Sequence, residues 1–156
     1  MILVTGAKGQ LGMELCNLLD EFFFFYVGTA MADLDITNAE QVAHFVKALQ
    51  PSIIFHCAAY TAVDLAEDEG KGLNQAVNID GTKNIALAAK EVGATLVYIS
   101  TDYVFDGLLD EGEYTVDAPT NPQNEYGKAK LAGEQVIQEL LTQYYIIRTS
   151  WVFGQY

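Results

Sequence analysis

The chain has 156 residues, a formal net charge of −13 and a hydrophobic fraction of 51%. That length and apolar content suffice for one buried core and exclude a disordered chain. The acidic balance argues against nucleic acid or an anionic membrane surface as partner, but not against a phosphorylated ligand, because local backbone dipoles hold phosphate on an acidic protein. No apolar run approaches the roughly 20 residues of a membrane span. The opening Met1–Gly9 reads as strand and turn, with no basic leader and no cleavage site, so a cytoplasmic protein without a signal peptide is expected. Cys16 and Cys57 stand in apolar surroundings without metal-ligand spacing; they read as reduced, buried thiols, and no metal is expected.

The elements alternate strand and helix. Ile2–Gly6 reads as a short buried strand and Gln10–Phe22 as a helix with its apolar stripe at Leu11, Leu15, Leu18 and Leu19. Phe23–Thr29 is aromatic and is expected to be a buried central strand, and Asp33–Thr37 a short edge strand. Thr37–Glu40 fits a capping box opening a helix that Pro51 stops near Gln50. Ile53–Cys57 is the next buried strand, and Asn74–Val92 a long helix ended by Gly93. Leu96–Ser100 is a strand, Tyr126–Leu141 a helix and Tyr144–Thr149 the last strand. Between them Asp106–Glu125, acidic and carrying Pro119 and Pro122, reads as a long loop of functional type. This order predicts an α/β, doubly wound parallel sheet with right-handed crossovers, a Rossmann fold.

Three motifs carry chemistry. Gly6, Gly9 and Gly12 lie between the first strand and first helix, where glycines permit a tight turn and close approach of backbone to a pyrophosphate; Gln10 and Leu11 belong to the same site. The second strand ends in Gly28-Thr29-Ala30, with no acid for a ribose 2′-hydroxyl, and Lys8 is placed to face a 2′-phosphate. Both favour NADPH; Asp33 and Asp35 nearby, with Ile36 beside them, keep NADH open. After the third strand the small residues Ala58 and Ala59 let a cofactor lie close, and Thr61 reaches cofactor or substrate. His56 is expected to face the core, His44 to be structural or exposed, and Asp64, Glu67, Asp68 and Glu69 to form a solvated acidic helix start.

The block Ser100–Gly107 leaves the next strand, and a hydroxyl there donates to a substrate carbonyl as negative charge develops. Thr101 is the preferred donor, Ser100 the fallback, and Tyr103 a pocket wall. Tyr126 and Lys130 stand one helical turn apart on one face. A lysine charge beside the phenol lowers its pKa from about 10 and makes a proton donor usable near neutral pH. Glycine turn, hydroxyl-bearing strand end and phenol–lysine pair together read as a nicotinamide-dependent reductase.

These blocks, with Arg148-Thr-Ser-Trp-Val-Phe-Gly154, resemble the extended short-chain dehydrogenase/reductases and, within them, the dTDP-4-dehydrorhamnose reductase family. The resemblance implies reduction of a dTDP-linked 4-keto-6-deoxyhexose to dTDP-L-rhamnose, a precursor of cell-wall polysaccharide. By it Tyr126 protonates the ketone oxygen, Lys130 holds the nicotinamide ribose, Thr101 completes a triad, and Tyr103 and Trp151 bound the sugar pocket. Such reductases continue beyond the Trp151 block, so residues 1–156 are expected to be their NAD(P)-binding part, with the C-terminal substrate lobe missing. Apolar surface including Trp151 and Phe153 is then expected to be exposed, which leaves a homo-oligomer open. Two other readings stay open. One is a sugar-nucleotide epimerase or dehydratase of the same superfamily, though Tyr103 replaces the acid a dehydratase needs. The other is a non-catalytic NADP-binding regulatory subunit of methionine adenosyltransferase.

Overall fold

The structure, a computed structural model, describes residues 1–154. Its elements follow in the order β1 (Ile2–Thr5), α1 (Gln10–Glu21), β2 (Tyr26–Thr29), α2 (Ala39–Leu49), β3 (Ile53–His56), α3 (Lys71–Gln75), α4 (Thr82–Val92), β4 (Thr95–Thr101), α5 (Glu125–Leu140) and β5 (Tyr144–Thr149). A π-helical turn, Ala76–Gly81, joins α3 to α4, so the helix expected from Asn74 begins earlier and runs through to Val92. All strand pairs are parallel, in the order β2-β1-β3-β4-β5. Parallel neighbours need crossover connections, and the helices between strands supply them. This is the doubly wound, Rossmann-like class that the alternation predicts.

Strand alternation divides the core in two. Leu3, Ile54, Leu96 and Tyr98 point to one face, where they pack with Val42 and Val46 of α2, Ile85 of α4 and Ile137 of α5. Ile2, Val4, Ile53 and Phe55 point to the other, under Leu15 and Leu19 of α1. The same alternation along β5 leaves Tyr145 and Ile147 exposed on the α1 side, while Tyr144 and Ile146 pack against the larger cluster. No helix among the described residues is long and apolar enough to cross a membrane.

Three local readings are corrected. The aromatic run does not form a buried central strand: α1 ends at Glu21, Phe23 takes a left-handed φ of 59°, and β2 starts only at Tyr26, on the sheet edge. Register explains it, because Tyr26 already pairs with Ile2, the first residue of β1, and Phe23 and Phe24 have no strand residue opposite. Asp33–Thr37 is a turn rather than a strand: the Asp35 carboxylate accepts the Thr37 backbone N–H at 2.9 Å and its hydroxyl at 2.7 Å. That use of Thr37 moves the helix cap to Asn38, whose side chain accepts the Gln41 N–H at 3.0 Å. The helix stops at Gln50 in a left-handed conformation before Pro51, and α4 ends at Gly93, φ 70°, as the sequence predicts.

Candidate active site

The glycine turn is built by sterics. Gly6 has φ 68°, and a Cβ there would lie 2.6 Å from the Ala58 backbone nitrogen. A Cβ on Gly12 would press into the Gly6 carbonyl oxygen. Gly9 differs: its Cβ would meet only that oxygen, at 3.3 Å, and otherwise point into open space. α1 starts at this turn with Gly9 as its cap, without a side-chain cap bond and without an acid in its first turn. Backbone N–H groups and the positive helix end therefore face outward, the chemistry that holds a phosphate. A dinucleotide pyrophosphate fits such a turn.

Two clefts open on either side of it and share Gly6, Gly9, Cys57 and Ala59. The first, about 420 Å³, gathers Gln10, Leu11, Gly12 and Thr61 with Thr101, Tyr103, Tyr126, Lys130 and Trp151. The second, about 440 Å³, takes in Lys8, Asp35, Ile36 and Ala58. Every site residue expected from sequence thus lies in one of two adjoining clefts along the carboxyl edge of the sheet, where doubly wound folds place their ligands. Trp151 is 91% exposed and forms a rim rather than a wall; Phe153 is equally exposed. Asp35 lines the second cleft, Asp33 lies outside its lining, and both carboxylates are engaged locally. Asp33 accepts the Ala30 N–H at 2.9 Å, and Asp35 is held by Thr37.

In the first cleft, α5 is fixed at its start by two caps. The Asn124 side chain accepts the Gly127 N–H at 2.7 Å, and the Glu67 carboxylate accepts the Glu125 N–H at 2.6 Å. Glu67, read as part of a solvated acidic stretch, thus docks the start of α5; no metal-binding cluster occurs among the described residues. The Thr101 hydroxyl, 5% exposed, donates to the Asp102 carboxylate at 3.3 Å and accepts the Tyr103 N–H at 3.1 Å, and Tyr103 meets the Tyr126 ring edge-on at 6.0 Å. Ser100 is not available as the fallback donor, because its hydroxyl bonds the Glu134 carboxylate at 2.5 Å.

Tyr126 departs from expectation. Burial, then the Asp102 carboxylate, push its phenol above the ordinary value, and the Thr101 hydrogen bond opposes them. The anticipated lowering by Lys130 is missing for a geometric reason. The Lys130 Nζ donates to the Ile99 carbonyl at 2.6 Å and sits 4.2 Å over the Tyr98 ring centroid. Burial also lowers the Lys130 pKa to about 7, with Glu134 and Cys57 pulling the other way. Beneath it lies a chain of buried polar groups. Thr5 Oγ1 and His56 Nδ1 are 2.7 Å apart, His56 Nε2 and Thr82 Oγ1 3.2 Å, and the Tyr98 hydroxyl donates to the Lys130 carbonyl at 3.4 Å. His56 faces the core as read: burial, then Lys130, lower its pKa to about 3. His44 is exposed. Both free thiols are half-buried rather than buried; burial pushes the Cys57 thiol up to about 12 and raises Cys16 as well, so neither is poised as a nucleophile.

A family model described as the RmlD substrate binding domain matches residues 1–156. The chain belongs to that family. Among RmlD-family relatives, the dTDP-4-dehydrorhamnose reductase of Streptomyces griseus is 44% identical over 97% of this chain and 50% of its own length. The crystal structure of dTDP-4-dehydrorhamnose reductase from Bacillus anthracis in complex with NADP superposes with a TM-score of 0.95 at 46% identity, covering 99% of this chain and 54% of that one. The chain spans about half the length of the curated relatives it matches. A Thermus thermophilus UDP-glucose 4-epimerase complex with NAD, at 23% identity and a TM-score of 0.85, shares the fold over 94% of this chain and 54% of its own.

Sequence reading missed three residues at or behind the first cleft. Asp102 lines the first cleft and acts on Tyr126; its position next to Thr101 was the available signal. Glu134 follows Lys130 at the spacing by which Lys130 follows Tyr126, so the helix period alone puts all three on one face. Arg148 pairs with Glu134 across elements, and no local pattern announces that.

Proposed function

We propose that residues 1–156 are the NAD(P)-binding part of an NADPH-dependent oxidoreductase that reduces the 4-keto group of a dTDP-linked 6-deoxyhexose to dTDP-L-rhamnose, the reaction implied by the names of its relatives. One observation carries the reading: the uncapped glycine turn and the Thr101–Tyr126–Lys130 group open into a single cleft. The Gly6–Gly12 turn would hold the pyrophosphate, with the open side of Gly9 toward it. Lys8, at the rim of the second cleft, takes the 2′-phosphate, and the local engagement of Asp33 and Asp35 supports the phosphorylated cofactor.

A bound nicotinamide supplies the hydride. Thr101 donates to the substrate carbonyl, and Tyr126 gives its proton to the oxygen as charge develops there. A phenol pushed upward remains protonated at neutral pH, ready to donate. Lys130, which donates to the Ile99 carbonyl, would hold the nicotinamide ribose, where its charge would ease that donation. Tyr103 and Trp151 border the sugar.

Calorimetric titration of the chain with NADPH and NADH tests the cofactor half. Micromolar binding with preference for NADPH is expected; no binding of either dinucleotide overturns the reading. Gly9→Val should remain folded by circular dichroism and lose dinucleotide binding, because the new side chain fills the open approach.

A further inference from the structure

The residues Ala58 to Thr61 lie past the end of β3, where strand pairing has stopped. They nevertheless form cleft wall: Ala59 lines both clefts, Tyr60 the second and Thr61 the first. A buried asparagine holds this stretch. The Tyr60 N–H donates to Asn78 Oδ1 at 3.1 Å, and Asn78 Nδ2 donates back to the Tyr60 carbonyl at 2.9 Å. Asn78 Nδ2 also donates to Asn74 Oδ1 at 2.8 Å, and Asn74 Nδ2 donates to the Glu125 carbonyl at 3.1 Å. Asn78 is fully buried and Asn74 is 1% exposed. The order of donors and acceptors is forced. A backbone N–H only donates and a carbonyl only accepts, so each carboxamide fits in one orientation.

The far end of this chain of bonds is the start of α5. Glu125 is the first residue of that helix and the neighbour of Tyr126. Residues 67–74 grip it at three points. The Glu67 carboxylate accepts its N–H, Asn74 donates to its carbonyl, and Lys71 Nζ lies 3.2 Å from its carboxylate. Asn78 stands in the π-helical turn Ala76–Gly81, and that turn lies directly on α5: a Cβ on Gly133 would come within 2.9 Å of the Asn78 carbonyl oxygen. Such π-turns inside helices recur at functional sites. Two buried carboxamides in series, each fully bonded, make a rigid link between cleft wall and helix start.

We propose that Asn78 and Asn74 are positioning residues of the candidate active site: through the Tyr60 backbone and the Glu125 carbonyl they hold the Ala59–Thr61 wall and the Tyr126 end of α5 in one fixed arrangement. Neither asparagine lines the first cleft, so both act through the residues they hold. The idea rests on the reading of that wall as cofactor contact and of Tyr126 as proton donor. The bonds themselves are tested without cofactor.

NMR on the 156-residue chain, with 15N amides and tyrosine labelled at 13Cε, reads this geometry. In the wild type the Tyr60 N–H exchanges at least about a hundredfold more slowly than in an open chain. Asn74→Ala cuts the link to α5 alone. Tyr60 stays protected, and the Tyr126 ring signal moves, because that ring lies edge-on to Tyr103 and senses small shifts. Asn78→Ala cuts both links: Tyr126 moves and Tyr60 exchange rises about tenfold or more. Tyr126→Phe assigns the ring signal, and Tyr26, on the far edge strand, reports that the fold is intact. A merely structural pair would lower stability in urea and leave Tyr126 in place in the folded chain. Fast Tyr60 exchange in the wild type, or an unmoved Tyr126 signal in Asn74→Ala, overturns the proposal. Should the variants fail to fold, the wild type decides by scalar couplings across the Tyr60–Asn78 and Asn74–Glu125 hydrogen bonds: both present support the proposal, and either one missing overturns it. NADPH affinity of folded Asn78→Ala should fall about tenfold, and an unchanged affinity also overturns it. Failure of the wild-type chain to bind NADPH would sink the cofactor reading and leave the asparagine link to be judged by NMR.

Discussion

On the inner face of α5, Lys130 and Glu134 are buried to 2% and 1% exposure, whereas at the α1–β2 junction Phe23 and Phe25 stand 90% and 84% exposed. Charge lies inside and aromatic surface outside, each against the usual sorting. The two inversions differ in how they are supported. Around α5 every buried polar group has a partner: Lys130 the Ile99 carbonyl, Glu134 a serine and an arginine, His56 two threonines. No described buried side-chain nitrogen or oxygen lacks a hydrogen bond. The phenylalanine run has no comparable support, and its backbone even takes a left-handed turn at Phe23. An inversion that the fold compensates residue by residue marks a site; one that it leaves bare marks an unburied surface.

The largest effect expected from breaking the α5 side is on stability. Glu134→Ala removes a partner from Arg148 and Ser100 at once. It should cost about 3 kcal/mol in denaturant unfolding, the low end for a broken buried pair, because Arg148 keeps some contact with water. Next comes chemistry: in the whole protein, Tyr126→Phe should lower turnover at least about a hundredfold and leave NADPH affinity nearly unchanged. Equal turnover would remove Tyr126 from the proton path.

The Lys130 pKa makes a pH-dependent prediction. Folded, the group binds its proton less tightly, with a pKa of about 7 against an ordinary 10.5. Between those values the unfolded chain binds more protons, so stability should rise with pH, by up to about 1.4 kcal/mol per unit. Lys130→Met should flatten that rise. His56 acts likewise on the acid side: its pKa of about 3 against 6.5 means that stability is lost as pH falls from 6.5 toward 3. Urea melts across pH 3 to 10 check both slopes. The smallest effect concerns the exposed aromatics. Phe23→Asn, at φ 59°, should add about 1 kcal/mol by suiting the left-handed backbone. A loss of stability there would mean that the phenylalanine ring is packed after all.

Legibility followed sequence distance. The sheet class, most elements and the glycine turn are local patterns, and each was readable. Gly93, Pro51 and the Tyr126–Lys130 spacing act within one or two turns of chain. Thr37 was misread because Asp35, two residues before it, competes for its hydroxyl and backbone N–H. The aromatic run was misread because hydrophobicity says that a segment should be buried, not whether a neighbouring strand extends far enough to bury it. The role of Lys130 toward Tyr126 was inferred from spacing alone, and spacing cannot show that the Ile99 carbonyl and the Tyr98 ring take its ammonium first.

The sequence by itself determined that helices alternate with parallel strands, that a glycine-rich turn opens the chain, and that a hydroxyl, a phenol and an amine follow in that order. These rest on contacts within a few residues, where period and side-chain type suffice. Only the tertiary structure decided that β2 is an edge, that the Ser100 hydroxyl donates to Glu134, and that the sole arginine of the chain ties β5 to α5. Those depend on which strands become neighbours and in what register, and that is fixed by packing across the whole sheet.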